Sequence, residues 1–149
     1  MVGYKSVLAS ITEQEGVSRC QVYSRAITGE DFAAFLLKLR ARYRKRKLAV
    51  FMDQLSVHKE LEHVQPIYVE HKITPVFNVA YSPEFNPIEA VFSKVKAIFN
   101  QRRLNCLVRK IGFNADETIR IAFNRISRDH CTACMRKSMH LLEKACENE

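Results

Sequence analysis

The sequence predicts an α/β fold in which a mixed β-sheet is flanked by helices. Two short strand-like segments open the chain, and two later strand-like segments alternate with longer segments of helical periodicity. Strands that alternate with helices favour this class, because the intervening helix supplies the crossover that parallel neighbours need. With 149 residues, the chain has the length of about one domain with a sizeable core.

The first segments predict an antiparallel hairpin followed by a helix. Residues 5–11 are mostly apolar and lead into a turn-like cluster that ends at Gly16. Residues 17–24 then alternate apolar and polar side chains, which is typical of a half-buried strand. Thr28 is the predicted cap of the helix, whose first turn is acidic and whose apolar stripe consists of Phe32, Phe35, Leu36 and Leu39.

The middle of the chain predicts two more strands around a helical segment. The apolar run at residues 48–53 ends in Asp53 and predicts a central strand. Residues 56–71 carry apolar side chains at helical intervals, and Pro66 within them predicts a kink or two shorter helices. Residues 73–79 form the next predicted strand, and Pro75 favours an edge position for it.

The last part of the chain is predicted to be helical. One helix is expected from Pro87 to about Arg103, and a second begins after Asn114, which starts a capping-box pattern. A third helix is expected from about Arg128 to Cys146.

Charge favours a polyanionic partner. Lys and Arg number 24 against 16 Asp and Glu, so the net charge is +8, and nucleic acid is the usual partner of such an excess. No apolar run approaches the length of about 18 residues that a membrane helix needs, and no leader typical of secretion opens the sequence. Five cysteines without a disulfide-framework rhythm favour a reducing compartment. We expect the nucleus in a eukaryote and the cytoplasm otherwise.

Two acids are the candidate chemical groups. Asp53 ends a predicted buried strand, and Glu89 lies just inside a predicted helix after a loop with two prolines. Carboxylates that the fold brings together are how many proteins hold divalent metal for phosphodiester chemistry. A purely structural interpretation also exists: Asn86 as cap, Pro87 first and Glu89 third make a favourable helix start, and Asp53 could cap the helix after it.

The motifs around these acids resemble a known family. The segments Asp53-Gln54-Leu55-Ser56-Val57-His58 and Tyr81-Ser82-Pro83-Glu84-Phe85-Asn86-Pro87-Ile88-Glu89, with 35 residues between the two acids, resemble the catalytic domain of Tc/mariner-type transposases. These are DDE enzymes with an RNase H-like fold. The resemblance implies a partial catalytic domain at residues 1–104 and a helical extension at residues 105–149.

The resemblance also implies a chemistry. Asp53 and Glu89 would be catalytic and metal-binding, with His58, Ser82 and Asn86 in supporting roles. Two Mg²⁺ or Mn²⁺ ions would support DNA strand cleavage and transfer at transposon ends and in target DNA. A homodimer is a possible assembly, and no membrane is involved.

One departure from the family pattern affects activity. The family has a third acid on the first strand of its sheet, whereas no acid precedes Glu13 here. Glu13 and Glu15 fall in the predicted hairpin loop, and Asp31 opens a helix. We therefore expect the first strand to be missing and the isolated chain to be a poor or inactive nuclease. The alternative is a non-catalytic DNA-binding or dimerisation module descended from a transposase.

The basic run at residues 40–47 has three interpretations: a solvated helix end, a DNA-phosphate contact, or a nuclear-import signal. The predicted DNA-binding residues are Arg42, Arg44, Lys45, Arg46, Lys47, Lys94, Lys96, Arg102 and Arg103. Cys131 and Cys134 invite a zinc or redox interpretation, but no second pair has convincing spacing, so we expect them to fill core space.

Overall fold

The computed structural model of this chain describes residues 3–147 and confirms the α/β class. Short helical turns of 3-10 type lie at Ser56–Lys59 and at Pro83–Phe85. The regular elements, in chain order, are β1 Ser6–Thr12, β2 Gly16–Tyr23, α1 Gly29–Arg42, β3 Leu48–Met52, α2 Val64–Glu70, β4 Ile73–Phe77, α3 Pro87–Val108, α4 Ala115–Asn124 and α5 Arg128–Glu147. Residues 1–2 and 148–149 of the two predicted domains lie outside the described residues.

The strands form two separate two-stranded sheets, whereas the sequence predicted a single mixed sheet. β1 pairs antiparallel with β2, from Ser6 opposite Tyr23 to Thr12 opposite Gly16, with an irregularity after Ser10. β3 pairs in parallel with β4, from Leu48 opposite Ile73 onward. Within residues 3–147, no ladder joins β1 to β3, so each of them has one edge without a neighbouring strand.

The core consists of two clusters, and β1 contributes to both. The first cluster lies between the hairpin and helices α3, α4 and α5, and β1 packs Val7, Ala9 and Ile11 against it. The second lies among α1, α2 and the β3–β4 sheet, and Leu8 packs against that one. Successive side chains of a strand point to opposite faces, so the hairpin is covered on both sides.

The predicted division after residue 104 falls inside α3, which continues to Val108. The helices beyond it are part of the first cluster, since α4 contributes Ala122 and Phe123 and α5 contributes Cys131. The predicted extension therefore shares a core with the amino-terminal hairpin. Among the described residues, no helix combines the length and the apolar character required to cross a membrane.

The segment around Pro66 forms two short helices, one of the two predicted alternatives. The 3-10 helix Ser56–Lys59 is separate from α2, and Pro66 is the third residue of α2. The first N–H groups of a helix have no partner within it, so a proline there removes no intrahelical hydrogen bond.

Candidate catalytic acids beyond a parallel strand pair

Asp53 directly follows β3, and one oxygen of its carboxylate is paired while the other remains available. Asp53 Oδ1 lies 2.9 Å from His58 Nδ1, and the aspartate side chain is 38% exposed. The same imidazole nitrogen lies 3.1 Å from the Asp53 carbonyl oxygen. In the tautomer protonated at Nδ1, the imidazole donates to Asp53 and fixes its position. The second carboxylate oxygen has no hydrogen bond to any described residue.

Helix α2 holds His58 in place. The Tyr68 hydroxyl donates to the His58 carbonyl oxygen (2.8 Å), and burial raises the pKa of Tyr68 to about 12, so it stays a donor at neutral pH. The His58 ring packs against Phe32 with ring centroids 4.4 Å apart. Contacts from α1 and α2 therefore position the imidazole that orients Asp53.

Asn78 ties the loop after β3 to the loop after β4. Its backbone N–H donates to the Met52 carbonyl oxygen (2.7 Å), and its carbonyl oxygen accepts from Gln54 Nε2 (2.8 Å). Its side-chain amide donates to the Ser82 carbonyl oxygen (2.6 Å). Asn78 is only 4% exposed, whereas its partner Gln54 is exposed, so the network is partly buried. The carboxyl ends of parallel strands lie at the same edge of a sheet, which brings the two loops side by side.

The loop after β4 leads into the cap of α3. Ser82 donates from its hydroxyl to the Ala80 carbonyl oxygen (3.3 Å), so it shapes the turn and does not face a described acid. Asn86 is 6% exposed and its side-chain oxygen accepts from the Ile88 N–H (3.4 Å), which makes it the N-cap. Pro87 then occupies the first helical position, as expected for a helix start.

Glu89 is third in α3, yet it does not form a capping box. In that motif the third residue would accept from the N–H of the cap, whereas the Asn86 N–H donates to the Pro83 carbonyl oxygen (2.9 Å). The partly buried Glu89 carboxylate has no hydrogen bond or ion pair to any described residue. This carboxylate is therefore available to a ligand.

The structure shows no contact between the carboxylates of Asp53 and Glu89. Their loops are linked through the Gln54, Asn78 and Ser82 network rather than by a direct bond. Both acids offer oxygen ligands of the kind that Mg²⁺ and Mn²⁺ prefer, so the donor chemistry fits a divalent cation.

The other acids considered from the sequence are engaged elsewhere. Glu15 accepts from Arg42 Nε (2.9 Å) and Arg42 Nη2 (2.6 Å), and this pairing lowers its pKa. Asp31 accepts from Arg25 Nη2 (2.9 Å) and from the Thr28 N–H (2.9 Å), so it completes a capping box. Neither joins Asp53 and Glu89 as a third carboxylate.

A cluster absent from the sequence prediction lies before α2. Ligand atoms of Glu60, Glu62 and His63 lie within 4.8 Å of one another. The Glu60 carboxylate already accepts from the backbone N–H groups of Glu62 (3.0 Å) and His63 (2.8 Å), and these bonds lower its pKa, with His63 the larger cause. The signal was available as Glu-x-Glu-His in the sequence, but it lies outside both motifs.

The basic run at residues 40–47 does not lie at the end of β3 that carries Asp53. The basic run precedes β3 and Asp53 follows it, so Lys47 and Asp53 are roughly 20 Å apart at ~3.3 Å per residue. Arg44, Lys45, Arg46 and Lys47 are exposed, and Arg42 is paired with Glu15. On α3, Lys96 and Arg103 are exposed, Arg102 is partly buried, and Lys94 lies near enough to His130 to lower its pKa, although burial is the larger cause.

The two cysteines of α5 lie in the core. Cys131 is fully buried and Cys134 is 8% exposed, and both belong to the first cluster. Burial raises the pKa of both thiols, which keeps them protonated at neutral pH. Cys134 Sγ lies 3.6 Å from His130 Nε2, and no further ligand completes a metal group among residues 3–147.

Comparison with known proteins identifies the family. A search of curated proteins finds no match to this chain. Residues 4–109 match the family model of the DDE superfamily endonucleases, which covers both acids and more than half of the chain. The match includes β1 through α3 and therefore the strand ends, the linking network and the helix start described above. The chain belongs to the DDE superfamily of endonucleases.

Proposed function

We propose that this chain is a transposase-derived endonuclease or integrase domain of the Tc/mariner type, in which Asp53 and Glu89 support metal-dependent cleavage and transfer of DNA strands. The observation that carries this proposal is the unused carboxylate of Glu89. A helix start of this sequence would normally employ that acid in a capping box, yet the Asn86 N–H donates to Pro83 instead. The Glu89 carboxylate is therefore free to ligate a cation.

The roles of the residues follow from their contacts. Asp53 presents its unpaired oxygen, while His58 holds the other oxygen at 2.9 Å. Both carboxylate oxygens of Glu89 are available, and Glu89 lies in the first turn of α3, the helix that Asn86 caps. Asn78 holds the loop after β3 and the loop after β4 next to each other through its hydrogen bonds. A bound divalent ion would activate water and stabilise the leaving oxygen of a phosphodiester.

The two acids form an incomplete donor set. Within the described residues, Glu15 and Asp31 are held by arginines, and no third carboxylate joins Asp53 and Glu89. Two divalent cations next to two carboxylates have too little compensating charge, so we expect weak metal binding and slow cleavage by the isolated chain. DNA is the substrate class, which the net charge of +8 supports.

Calorimetric titration of Mg²⁺ and Mn²⁺ tests the shared site. Asp53→Asn and Glu89→Gln keep the shape of each side chain while removing its charge. If the proposal is correct, each variant weakens Mn²⁺ binding at least about tenfold, or about 1.4 kcal/mol. Weaker Mn²⁺ binding in only one of the two variants would show that Asp53 and Glu89 do not share a cation.

Two matched controls make the titration specific. Glu84→Gln removes an exposed acid from the loop before α3, and Glu62→Gln removes one member of the cluster before α2. Neither should alter the Asp53 and Glu89 signal. If Glu62→Gln abolishes the measured binding, the ion lies in that cluster and the catalytic proposal fails.

The alternative function is a non-catalytic DNA-binding or dimerisation module. The observation that favours it is the exposed basic run, which lies at the opposite end of β3 from the acids. DNA binding without Mn²⁺ binding or cleavage would support this alternative. Cleavage in Mn²⁺ that Asp53→Asn abolishes would exclude it, and light scattering would show whether a homodimer forms. If residues 40–47 act as a nuclear-import signal, the protein would be located in the nucleus.

A further inference from the structure

The carboxyl-terminal turns of α3 expose an unusual concentration of large apolar side chains. Leu104 is 61% exposed, Leu107 63%, Val108 82% and Ile111 57%. Leu104, Leu107 and Val108, at positions i, i+3 and i+4, lie along one face of α3. We call these three residues, together with Ile111 after the helix end, the α3 stripe. Isolated exposed apolar residues are ordinary, but a contiguous patch of this kind marks an interaction site.

The backbone holds the end of the stripe in a fixed arrangement. The Lys110 N–H donates to the Leu107 carbonyl oxygen (3.2 Å), and the Ile111 N–H donates to the Cys106 carbonyl oxygen (3.0 Å). These bonds define a Schellman motif, in which Lys110 adopts a left-handed φ of 52°. The motif turns the chain back at the helix end, so the exposed Ile111 lies just beyond the last helical residue.

The opposite side of the same turns is already covered. Cys106 is 8% exposed, and Phe99 packs edge-on against Phe113 with ring centroids 5.4 Å apart. A helix with apolar side chains on two opposite faces is normally buried on both. The described residues cover only one face of α3 here, so the stripe lacks a partner.

The charges around the stripe identify the kind of partner. Residues 101–111 contain Arg102, Arg103, Arg109 and Lys110 and no Asp or Glu. None of these four cations forms an ion pair with a described residue. Two copies packed stripe to stripe would oppose like charges, whereas a partner with carboxylates beside its apolar residues would complement them.

We propose that the α3 stripe docks an acidic amphipathic helix of a partner protein. The apolar residues of that helix would pack on Leu104, Leu107 and Val108, and its Asp or Glu side chains would face Arg103 and Lys110. Helix-to-helix recognition through i, i+3, i+4 and i+7 anchors is a common mode of peptide binding. The helical part of the stripe extends only about 6 Å at ~1.5 Å per residue, which suits a short helix better than a membrane surface.

The test uses the full chain and a labelled designed peptide. The peptide is an amphipathic helix with Leu at the same spacing and Glu at the flanking positions, and its matched control carries Lys in place of Glu. Fluorescence anisotropy should show binding of the acidic peptide at least about tenfold tighter than of the basic one. Leu107→Asp should weaken acidic-peptide binding by at least about tenfold.

Two further variants separate shape from charge. Val69→Asp places the same substitution at another exposed apolar site, 79% exposed on α2, and should leave peptide binding unchanged. Exchanging Arg103 and Lys110 for Glu should reverse the preference toward the basic peptide. Absence of acidic-peptide binding, or equal loss in Val69→Asp, would overturn the proposal.

Other occupants give different outcomes. A dimer in light scattering that Leu107→Asp converts to monomer would assign the stripe to a second copy and overturn the proposal. Capture by phosphatidylcholine–phosphatidylserine vesicles that Leu107→Asp abolishes would assign it to a membrane surface and overturn it as well. Peptide binding to the α3 stripe does not involve Asp53 or Glu89. A negative peptide-binding result would therefore leave the metal-binding proposal unaffected.

Discussion

Asp31 and Glu89 are each the third residue of a helix, yet the protein uses them differently. Asp31 accepts from Thr28 and Arg25, so its carboxylate completes a local motif. The carboxylate of Glu89 accepts a hydrogen bond from no described group, because the Asn86 N–H donates to the Pro83 carbonyl oxygen. A sequence pattern alone assigns both acids the same role. The different hydrogen bonds of their caps separate a structural acid from a candidate ligand.

Asp31→Asn should lower stability in a pH-dependent way. Hydrogen bonding to Arg25 is the largest cause that holds the pKa of Asp31 below its ordinary value of 3.8. A lowered pKa means that the stabilisation is present above about pH 4 and is lost as the pH falls. We expect the variant to lose about 1 kcal/mol of unfolding free energy at pH 7. Urea unfolding at several pH values measures the difference between the two proteins.

Glu89→Gln is the matched control for Asp31→Asn. Its carboxylate has no described partner, so its removal should change stability by less than about 0.5 kcal/mol at every pH. A difference between Asp31→Asn and wild type that stays constant from pH 7 to below 3.8 would contradict the role of the Asp31 charge.

At the scale of elements, backbone constraints at strand and helix ends position the candidate site and the stripe. The β3–β4 pairing sets the loops that follow these strands side by side, and Asn78 joins them with partly buried hydrogen bonds. The Schellman motif at the end of α3 has Lys110 at the position where glycine is usual. The Asn78 network predicts the effect of Asn78→Ala, and the Schellman motif predicts the effect of Lys110→Gly.

Asn78→Ala should weaken both the fold and the metal site. It removes a buried donor to Ser82 and should cost about 1–3 kcal/mol of unfolding free energy. Because the two loops would then be coupled less tightly, Mn²⁺ binding should weaken about tenfold or more. Denaturant unfolding and calorimetry measure the two effects. Unchanged Mn²⁺ affinity in the folded variant would show that the network does not position the acids.

Lys110→Gly should stabilise the protein. A residue with a Cβ at a φ of 52° carries a steric cost that glycine avoids, so we expect a gain of about 1 kcal/mol. The urea midpoint should rise without a change in slope. Lys110→Ala keeps the Cβ and should show no such gain. A gain in both variants would point to relief of charge repulsion among the neighbouring cations instead.

At the scale of the whole molecule, the basic run and Asp53 occupy opposite ends of β3. The basic run precedes this strand and Asp53 follows it, so a contact between DNA phosphates and the basic run does not itself involve Asp53. DNA binding and metal binding should therefore respond to different substitutions. The hairpin and the helices beyond residue 108 share one core, whereas β3 packs in the other cluster with α1 and α2.

Neutralising the basic run should change the salt dependence of DNA binding. Exchanging Arg44, Lys45 and Lys47 for Gln should reduce the slope of log affinity against log salt by about 0.9 for each lost phosphate contact. The charge-matched control replaces Arg109, Lys110 and Arg136, which are exposed elsewhere. Equal slopes in both variants would show that the basic run is only a solvated surface.

Much of the fold was predictable because its signals are local. The hairpin, the Thr28 and Asn114 caps, the strand before Asp53 and the helix after Pro87 all follow from periodicity and end residues. The division after residue 104 was placed by resemblance, and α3 continues through it to Val108. The single mixed sheet was also not observed, because pairing between distant strands has no local signature.

The sequence by itself determined which residues could carry chemistry and which family they belong to. Asp53 and Glu89 were identified because their neighbours form a specific pattern, and that inference needs no coordinates. Only the tertiary structure decided that Glu89 is unpaired, that Asn78 links the loops and that the basic run lies far from the acids. The physical reason is that the availability of a charge depends on groups distant in the chain, and folding alone brings those groups together.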